Sequence, residues 1–175
     1  IPGIIERNDR DANKCSAQQK PMKQQLHPHV LKKYQAEGTR EAIPSFSCKI
    51  RDGEDWKSNL PSEVYRIMFA DGTEPAFSHP YHELKDQGTY YCRACGQPLF
   101  GSEGKFDSGT GWPSFYAPLH PSLLEMEFDF NIGLPRVALA CSCCEGHLGH
   151  VFLDGPKPSG LRFCLNGNAL EFRKD

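Results

Sequence analysis

Cysteines supply most of the reactive side chains in this chain of 175 residues, and the eight of them are unevenly spread. Cys92-Arg-Ala-Cys95 and Cys141-Ser-Cys-Cys144 each hold a CxxC pair, while Cys15, Cys48 and Cys164 stand alone. In a small secreted domain an even count suggests a disulfide framework. Two matched CxxC pairs point instead to metal binding in a reducing compartment, cytoplasmic or organellar. A sharp turn lets both thiolates of a pair reach one ion, and four thiolates complete a tetrahedral zinc shell that is structural, not catalytic. Cys92, Cys95, Cys141 and Cys144 are the expected ligands, with Cys143 left as a bystander thiol. The 45 residues between Cys95 and Cys141 exceed a zinc-finger gap, so the ion is expected to clamp two separate turns of one domain.

Three further segments carry candidate chemistry. In Gly109-Thr-Gly-Trp112-Pro-Ser-Phe115, Trp112 lies in a Gly/Pro-rich stretch, either packed on a turn or walling an apolar pocket. In His147-Leu-Gly-His150-Val-Phe152, the two histidines are free for acid–base work or substrate hydrogen bonds once four thiolates fill the zinc. In Gly160-Leu-Arg162-Phe-Cys164-Leu-Asn166, Cys164 has no CxxC partner. A free cysteine in a strand is commonly just a small buried apolar residue. Arg162 and Asn166, however, fall at i−2 and i+2, so on a strand all three face one way. A guanidinium beside a thiol lowers its pKa and favours the nucleophilic thiolate.

The elements that must position these residues divide the chain in two. Residues 1–50 form a polar, Lys/Gln/Pro-rich arm, with one short helix expected from Pro28 to Glu37. Residues 51–175 form the candidate catalytic domain. A helix starts near Pro61, capped by Asn59 or a neighbour; it carries Val64, Ile67 and Met68 on one stripe and ends at Asp71-Gly72. Beyond residue 72, short β-prone runs alternate with Gly, Pro, Asp and Asn clusters. Expected strands are Thr89 to Cys92, Pro98 to Phe100, Arg136 to Ala140, His150 to Leu153, Leu161 to Leu165 and Ala169 to Phe172. No long helical pattern separates them, so the fold class is mainly β and antiparallel, with a few short N-terminal helices. Lys+Arg 20 against Asp+Glu 22 gives no bulk charge for a nucleic-acid or anionic-membrane partner. No apolar run approaches the roughly 18 residues of a bilayer span. The first residue is Ile, so a processed or trimmed chain is expected, with any targeting segment outside this sequence.

These segments, both CxxC pairs and Gly72-Thr-Glu-Pro-Ala-Phe77-Ser78 closely resemble the zinc-containing methionine-R-sulfoxide reductases, from about Trp56 to Phe172. The resemblance implies two antiparallel β-sheets with zinc at the end away from the active site. It implies Cys164 as nucleophile, Trp112 and Phe152 as substrate contacts, Trp112 receiving the methyl group, and His147, His150, Arg162 and Asn166 around the sulfoxide oxygen. It further implies a monomer acting on oxidised methionine, preferably within proteins, through a Cys164 sulfenic acid, with thioredoxin as reductant. Two departures stand out. Thr110 occupies the place where many members carry a resolving cysteine, leaving Cys48 or Cys15, and after them Cys143, for that role, the alternative being direct reduction of the sulfenic acid by thioredoxin or a small thiol. Asn166-Gly-Asn-Ala169 replaces a more usual Ser-containing segment, which bears on the shape of the pocket. A zinc-ribbon binding module that keeps the scaffold without catalysis is the competing expectation; it has no need of a thiol beside Arg162.

Overall fold

The computed structural model describes residues 45–48, 50, 55–129 and 136–175. The helix expected from Pro28 to Glu37, and Cys15, lie outside the described residues. Two short helices open the domain: α1, Trp56–Asn59, and α2, Ser62–Phe69. Asp55 caps α1, its side chain accepting from the Ser58 amide. α2 starts from Pro61 without a side-chain cap, so Asn59 is not its cap as expected; that residue already ends α1. The expected stripe of Val64, Ile67 and Met68 is buried.

Among the described residues nine strands follow: β1 Gly88–Cys92, β2 Pro98–Gly101, β3 Lys105–Phe106, β4 Ser114–Phe115, β5 Leu124–Asp129, β6 Arg136–Cys141, β7 His147–Phe152, β8 Arg162–Leu165 and β9 Leu170–Lys174. They form two sheets, ordered β2-β1-β9 and β3-β4-β8-β7-β6-β5, and every pairing is antiparallel. The mainly β architecture with two antiparallel sheets therefore stands. The sheets meet through aromatic side chains. Tyr90 and Phe100 come from the small sheet, Phe115 and Phe163 from the large one, and all four are fully buried. Ring centroids lie 5.0 Å apart for Tyr90–Phe115, 4.6 Å for Phe100–Phe115 and 5.8 Å for Phe100–Phe163. Tilted and edge-on contacts of this kind add roughly 0.5–1.5 kcal/mol each beyond simple burial. They supply a rigid floor under β8, the strand that bears Cys164. Among the described residues no helix is long and apolar enough to cross a membrane.

Candidate active site

The nucleophile candidate sits in the middle of the large sheet. Cys164 on β8 pairs with Ser114 on β4 and with His150 on β7. Directly opposed residues of an antiparallel pair share a face, so Ser114, Cys164 and His150 form one row across three strands. Gly149 makes this row possible. A Cβ there would meet the Cys164 carbonyl oxygen at 2.0 Å, so no side chain fits between β7 and β8 at this point.

A regular strand would turn His147 and His150, three positions apart, to opposite faces. The ladder between β6 and β7 shifts register at Leu139/Ala140. That bulge changes the phase and brings the two imidazoles together, with ring centroids 5.2 Å apart. Both line a depression of about 700 Å³ with Asp71, Thr73, Glu127 and Arg136. His150 Nε2 lies 2.8 Å from Asp129 Oδ2, and Arg136 donates to the same oxygen at 3.1 Å. Burial pushes His147 down to about 4, with the neighbouring His150 adding to the fall. Burial also lowers His150, against the opposing pull of its Asp129 hydrogen bond. Both are thus neutral imidazoles at pH 7.

On the other side of the row, Arg162 shares the Cys164 face, as its i−2 position requires. Its guanidinium stacks over Phe152 at 4.3 Å and pairs with Asp154 at 2.9 Å. Phe152, expected to face substrate, is therefore also the platform that orients Arg162. Arg162, Asp154, Ser108 and Thr110 line a second depression of about 400 Å³. Thr110 offers its hydroxyl to Cys164. A row of hydroxyls continues from it: Thr110 Oγ1 to Ser108 Oγ at 2.8 Å, Ser108 Oγ to Ser114 Oγ at 2.7 Å, and Ser114 donating to the Trp112 carbonyl at 3.1 Å.

The expectation that Arg162 leaves Cys164 with a lowered pKa is corrected. The Arg162 charge and the Thr110 hydroxyl do pull it down, but burial outweighs them and the thiol ends above its ordinary value. β8 ends at Leu165; Asn166 follows with extended backbone, φ −74° and ψ 125°, its amide donating to the Leu148 carbonyl at 2.8 Å, and it leads into the 3₁₀ turn Gly167–Ala169. Its buried side chain accepts from the Glu74 amide at 3.1 Å and donates to the Leu148 carbonyl at 3.1 Å. Trp112 is half-buried; its indole Nε1 donates to the Glu74 carbonyl at 3.1 Å. Leu165, next to Cys164, donates its amide to the Pro113 carbonyl at 3.0 Å, which fastens the Trp112 loop to β8. Sequence reasoning missed Asp129, Asp154 and Glu74, the acidic residues that hold this site. The alternation of acidic and apolar residues in Leu124–Asp129 was the available signal for the first.

The four expected metal ligands converge. Their sulfurs all lie within 4.8 Å of one another, with Cys92–Cys144 at 3.5 Å and Cys95–Cys141 at 3.6 Å. A tetrahedron built on Zn–S bonds of about 2.3 Å has edges of about 3.8 Å, so the donor set fits one such ion. Two matching knuckles make it. In each, the amide of the first cysteine donates to the carbonyl five residues on: Cys92 to Gln97 at 2.7 Å and Cys141 to Gly146 at 3.0 Å. The residue after the second cysteine is left-handed in both, Gly96 at φ 77° and Glu145 at φ 61°. Gln97 Nε2 donates to Cys141 Sγ at 3.4 Å, an outer contact of the kind that orients a ligand. Cys143 is not a bystander thiol. It is bonded to Cys48 across 95 residues, so neither is free in this structure, and Cys164 is the one free cysteine outside the quartet among the described residues.

Comparison with known proteins gives this arrangement a lineage. The SelR domain family model matches residues 60–174. A peptide methionine sulfoxide reductase MsrB from Leptospira interrogans is 48% identical over 125 residues, covering 71% of this chain and 95% of that relative. The proteins of the same name from Acinetobacter baylyi and Acinetobacter baumannii are each 49% identical, over 121 and 119 residues, covering 69% and 68% of this chain and 87% and 86% of theirs. Helix α2, strands β1 to β9, both knuckles and the Cys164 row fall inside residues 60–174. The chain belongs to the SelR domain family of MsrB-type methionine sulfoxide reductases.

Proposed function

We propose that this protein reduces methionine-R-sulfoxide, preferably within proteins and peptides, with Cys164 as nucleophile. The single observation that carries the reading is the free, half-buried thiol set in one row with His150 and flanked by Arg162 and Thr110. Relatives named for this activity, at 48–49% identity over nearly their whole length, support it.

The electrostatics of the site shape the mechanism. A sulfoxide oxygen leaves only when protonated. A histidine with a pKa near 4 carries no spare proton at neutral pH, so His147 is a poor initial acid. Cys164, held above the usual thiol range, arrives with its proton attached. That proton passes to the sulfoxide oxygen through neutral His150 or a water, as the sulfur attacks the substrate sulfur. The oxygen then passes, as hydroxyl, from the substrate sulfur to the Cys164 sulfur; the S–O bond and the new S–S bond break, methionine leaves and Cys164 becomes a sulfenic acid, so that thiol plus sulfoxide give sulfenic acid plus thioether. A second thiol then condenses with it, releasing water and forming a disulfide, and thioredoxin reduces that disulfide by exchange. A resolving role for Cys48 requires that its bond to Cys143 be reduced first. Trp112 receives the substrate methyl group, Phe152 walls the site through its hold on Arg162, and Asn166 acts through the backbone it ties down. In the quartet, Cys92, Cys95, Cys141 and Cys144 would hold Zn2+; four thiolates leave no open position, so the ion's contribution is to structure.

The test is a reductase assay on the separate R and S epimers of a blocked methionine sulfoxide, with dithiothreitol as reductant. Turnover of the R epimer is expected and its loss in Cys164→Ser. Undiminished activity in that variant, or preference for the S epimer, overturns the proposal.

A further inference from the structure

Glu74 is 2% exposed, and the chemistry above does not use it. A carboxylate removed from water is costly unless its oxygens are fully hydrogen-bonded. Here they are. Oε1 accepts from the Gly167 amide at 2.7 Å, and Oε2 from the Asn168 amide at 2.9 Å and from Asn168 Nδ2 at 2.8 Å. These donors form the 3₁₀ turn that follows Asn166, directly at the exit of the Cys164 strand. The backbone of Glu74 makes two more bonds. Its amide donates to Asn166 Oδ1 at 3.1 Å, and its carbonyl accepts the Trp112 indole at 3.1 Å. Three residues on, the Phe77 amide donates to the Gly111 carbonyl at 2.8 Å, so the segment from Glu74 to Phe77 runs as a splint along the Trp112 loop.

Glu74 therefore bridges two separate parts of the chain. On one side, more than 90 positions on, is the turn Gly167–Ala169, which begins three residues beyond the nucleophile; on the other, 38 positions on, is the indole. The departure from the family pattern at Asn166-Gly-Asn-Ala169 falls on this bridge, because Asn168 contributes a side-chain donor to it.

We propose that Glu74 is a positioning residue for the reaction: by holding Trp112 against the exit of the Cys164 strand it sets the width of the slot that seats the substrate's S-methyl group. The inference rests on the proposed reading of Trp112 as the methyl contact. A pocket that measures one methylene discriminates by roughly 10- to 200-fold, and small displacements of a positioning group erode this steeply.

The experiment compares kcat/KM for the R sulfoxides of blocked methionine and blocked ethionine, which differ by one methylene on the reacting sulfur. Wild type, Glu74→Gln, Asn168→Ser and Trp112→Ala are measured alongside the rate of Cys164 alkylation by iodoacetamide. Glu74→Gln keeps size but places an amide NH2 against N–H donors. The expected result is a methyl-over-ethyl preference reduced about tenfold in Glu74→Gln and by a smaller factor in Asn168→Ser, with alkylation within about twofold of wild type. A merely structural role for Glu74 lowers both substrates in step and leaves the preference intact, and that outcome overturns the inference. If Glu74→Gln does not fold, Asn168→Ser decides alone, an unchanged preference again counting against it. An unchanged preference in Trp112→Ala overturns the reading of Trp112 itself; a preference lost there but kept in Glu74→Gln sinks only the role of Glu74.

Discussion

Cys164 carries opposing influences that differ in reach. Burial acts on the thiol from all sides, whereas Arg162 acts through one guanidinium that already shares its charge with Asp154. Removing Arg162 leaves burial unopposed by charge. In Arg162→Gln the pH midpoint of Cys164 alkylation is expected to rise, read from iodoacetamide rates across pH 7 to 11; a fall contradicts the balance described. His147 permits a second residue-level expectation, with the sign as follows. Its folded pKa, about 4, lies below the unfolded value of about 6.5, so the unfolded chain takes up the proton first. Its contribution leaves stability intact above pH 6.5 and erodes it as pH falls toward 4. Urea unfolding at pH 7.5 and pH 5 should show a smaller loss in His147→Gln than in wild type. The side-by-side placement of Arg162 and Cys164 was legible in their two-residue spacing. The direction of the thiol's shift was not, because the neighbours of Cys164 across the sheet, Ser114 and His150, are brought beside it only by strand pairing.

At the scale of elements, strand parity explains what was readable and what was not. β1, β2 and β6 announce themselves through short β-prone runs ending in turn residues. β7 begins at His147, earlier than expected, because Gly149 reads as a loop signal while its real function is to let β8 approach. β3 and β4 span two residues each and exist only by pairing with neighbours, which no local pattern encodes. The bulge that turns His147 toward His150 is likewise a product of pairing. Gly149→Ala tests the close approach of the two strands. The new methyl must displace the Cys164 backbone, and a cost of about 1–3 kcal/mol or more is expected from thermal unfolding, with a loss of activity beyond the unfolded fraction. A variant as stable and active as wild type argues against the tight β7–β8 contact.

For the molecule as a whole, the quartet joins the two sheets: Cys92 ends β1 of the small sheet and Cys141 ends β6 of the large one. Their local CxxC spacing made the ligands readable, and convergence of two distant knuckles followed from the chemistry of a four-thiolate shell. The Cys48–Cys143 bond had no such signal, since single cysteines 95 residues apart leave their pairing open. The purified protein is expected to hold one zinc ion per chain. Chelation under reducing conditions should lower the unfolding temperature, and reductase activity should decline with the folded fraction. Activity that survives complete metal removal without a change in stability contradicts a structural ion.

The hydroxyl row beside the nucleophile has a polarity. Each of Thr110, Ser108 and Ser114 owns one hydrogen, so the row must point one way at a time. While Ser114 donates to the Trp112 carbonyl, Ser108 donates to Ser114 and Thr110 to Ser108, which leaves the Thr110 oxygen to accept from the Cys164 thiol. Once the sulfur is ionised, Thr110 turns its hydrogen toward it, while Ser108 keeps its hydrogen on Ser114 and Ser114 keeps its own on the Trp112 carbonyl. The row thus has a swivel at one end and an anchor at the other: Thr110 follows the charge of the sulfur, and the serines hold the tryptophan backbone in place through either state.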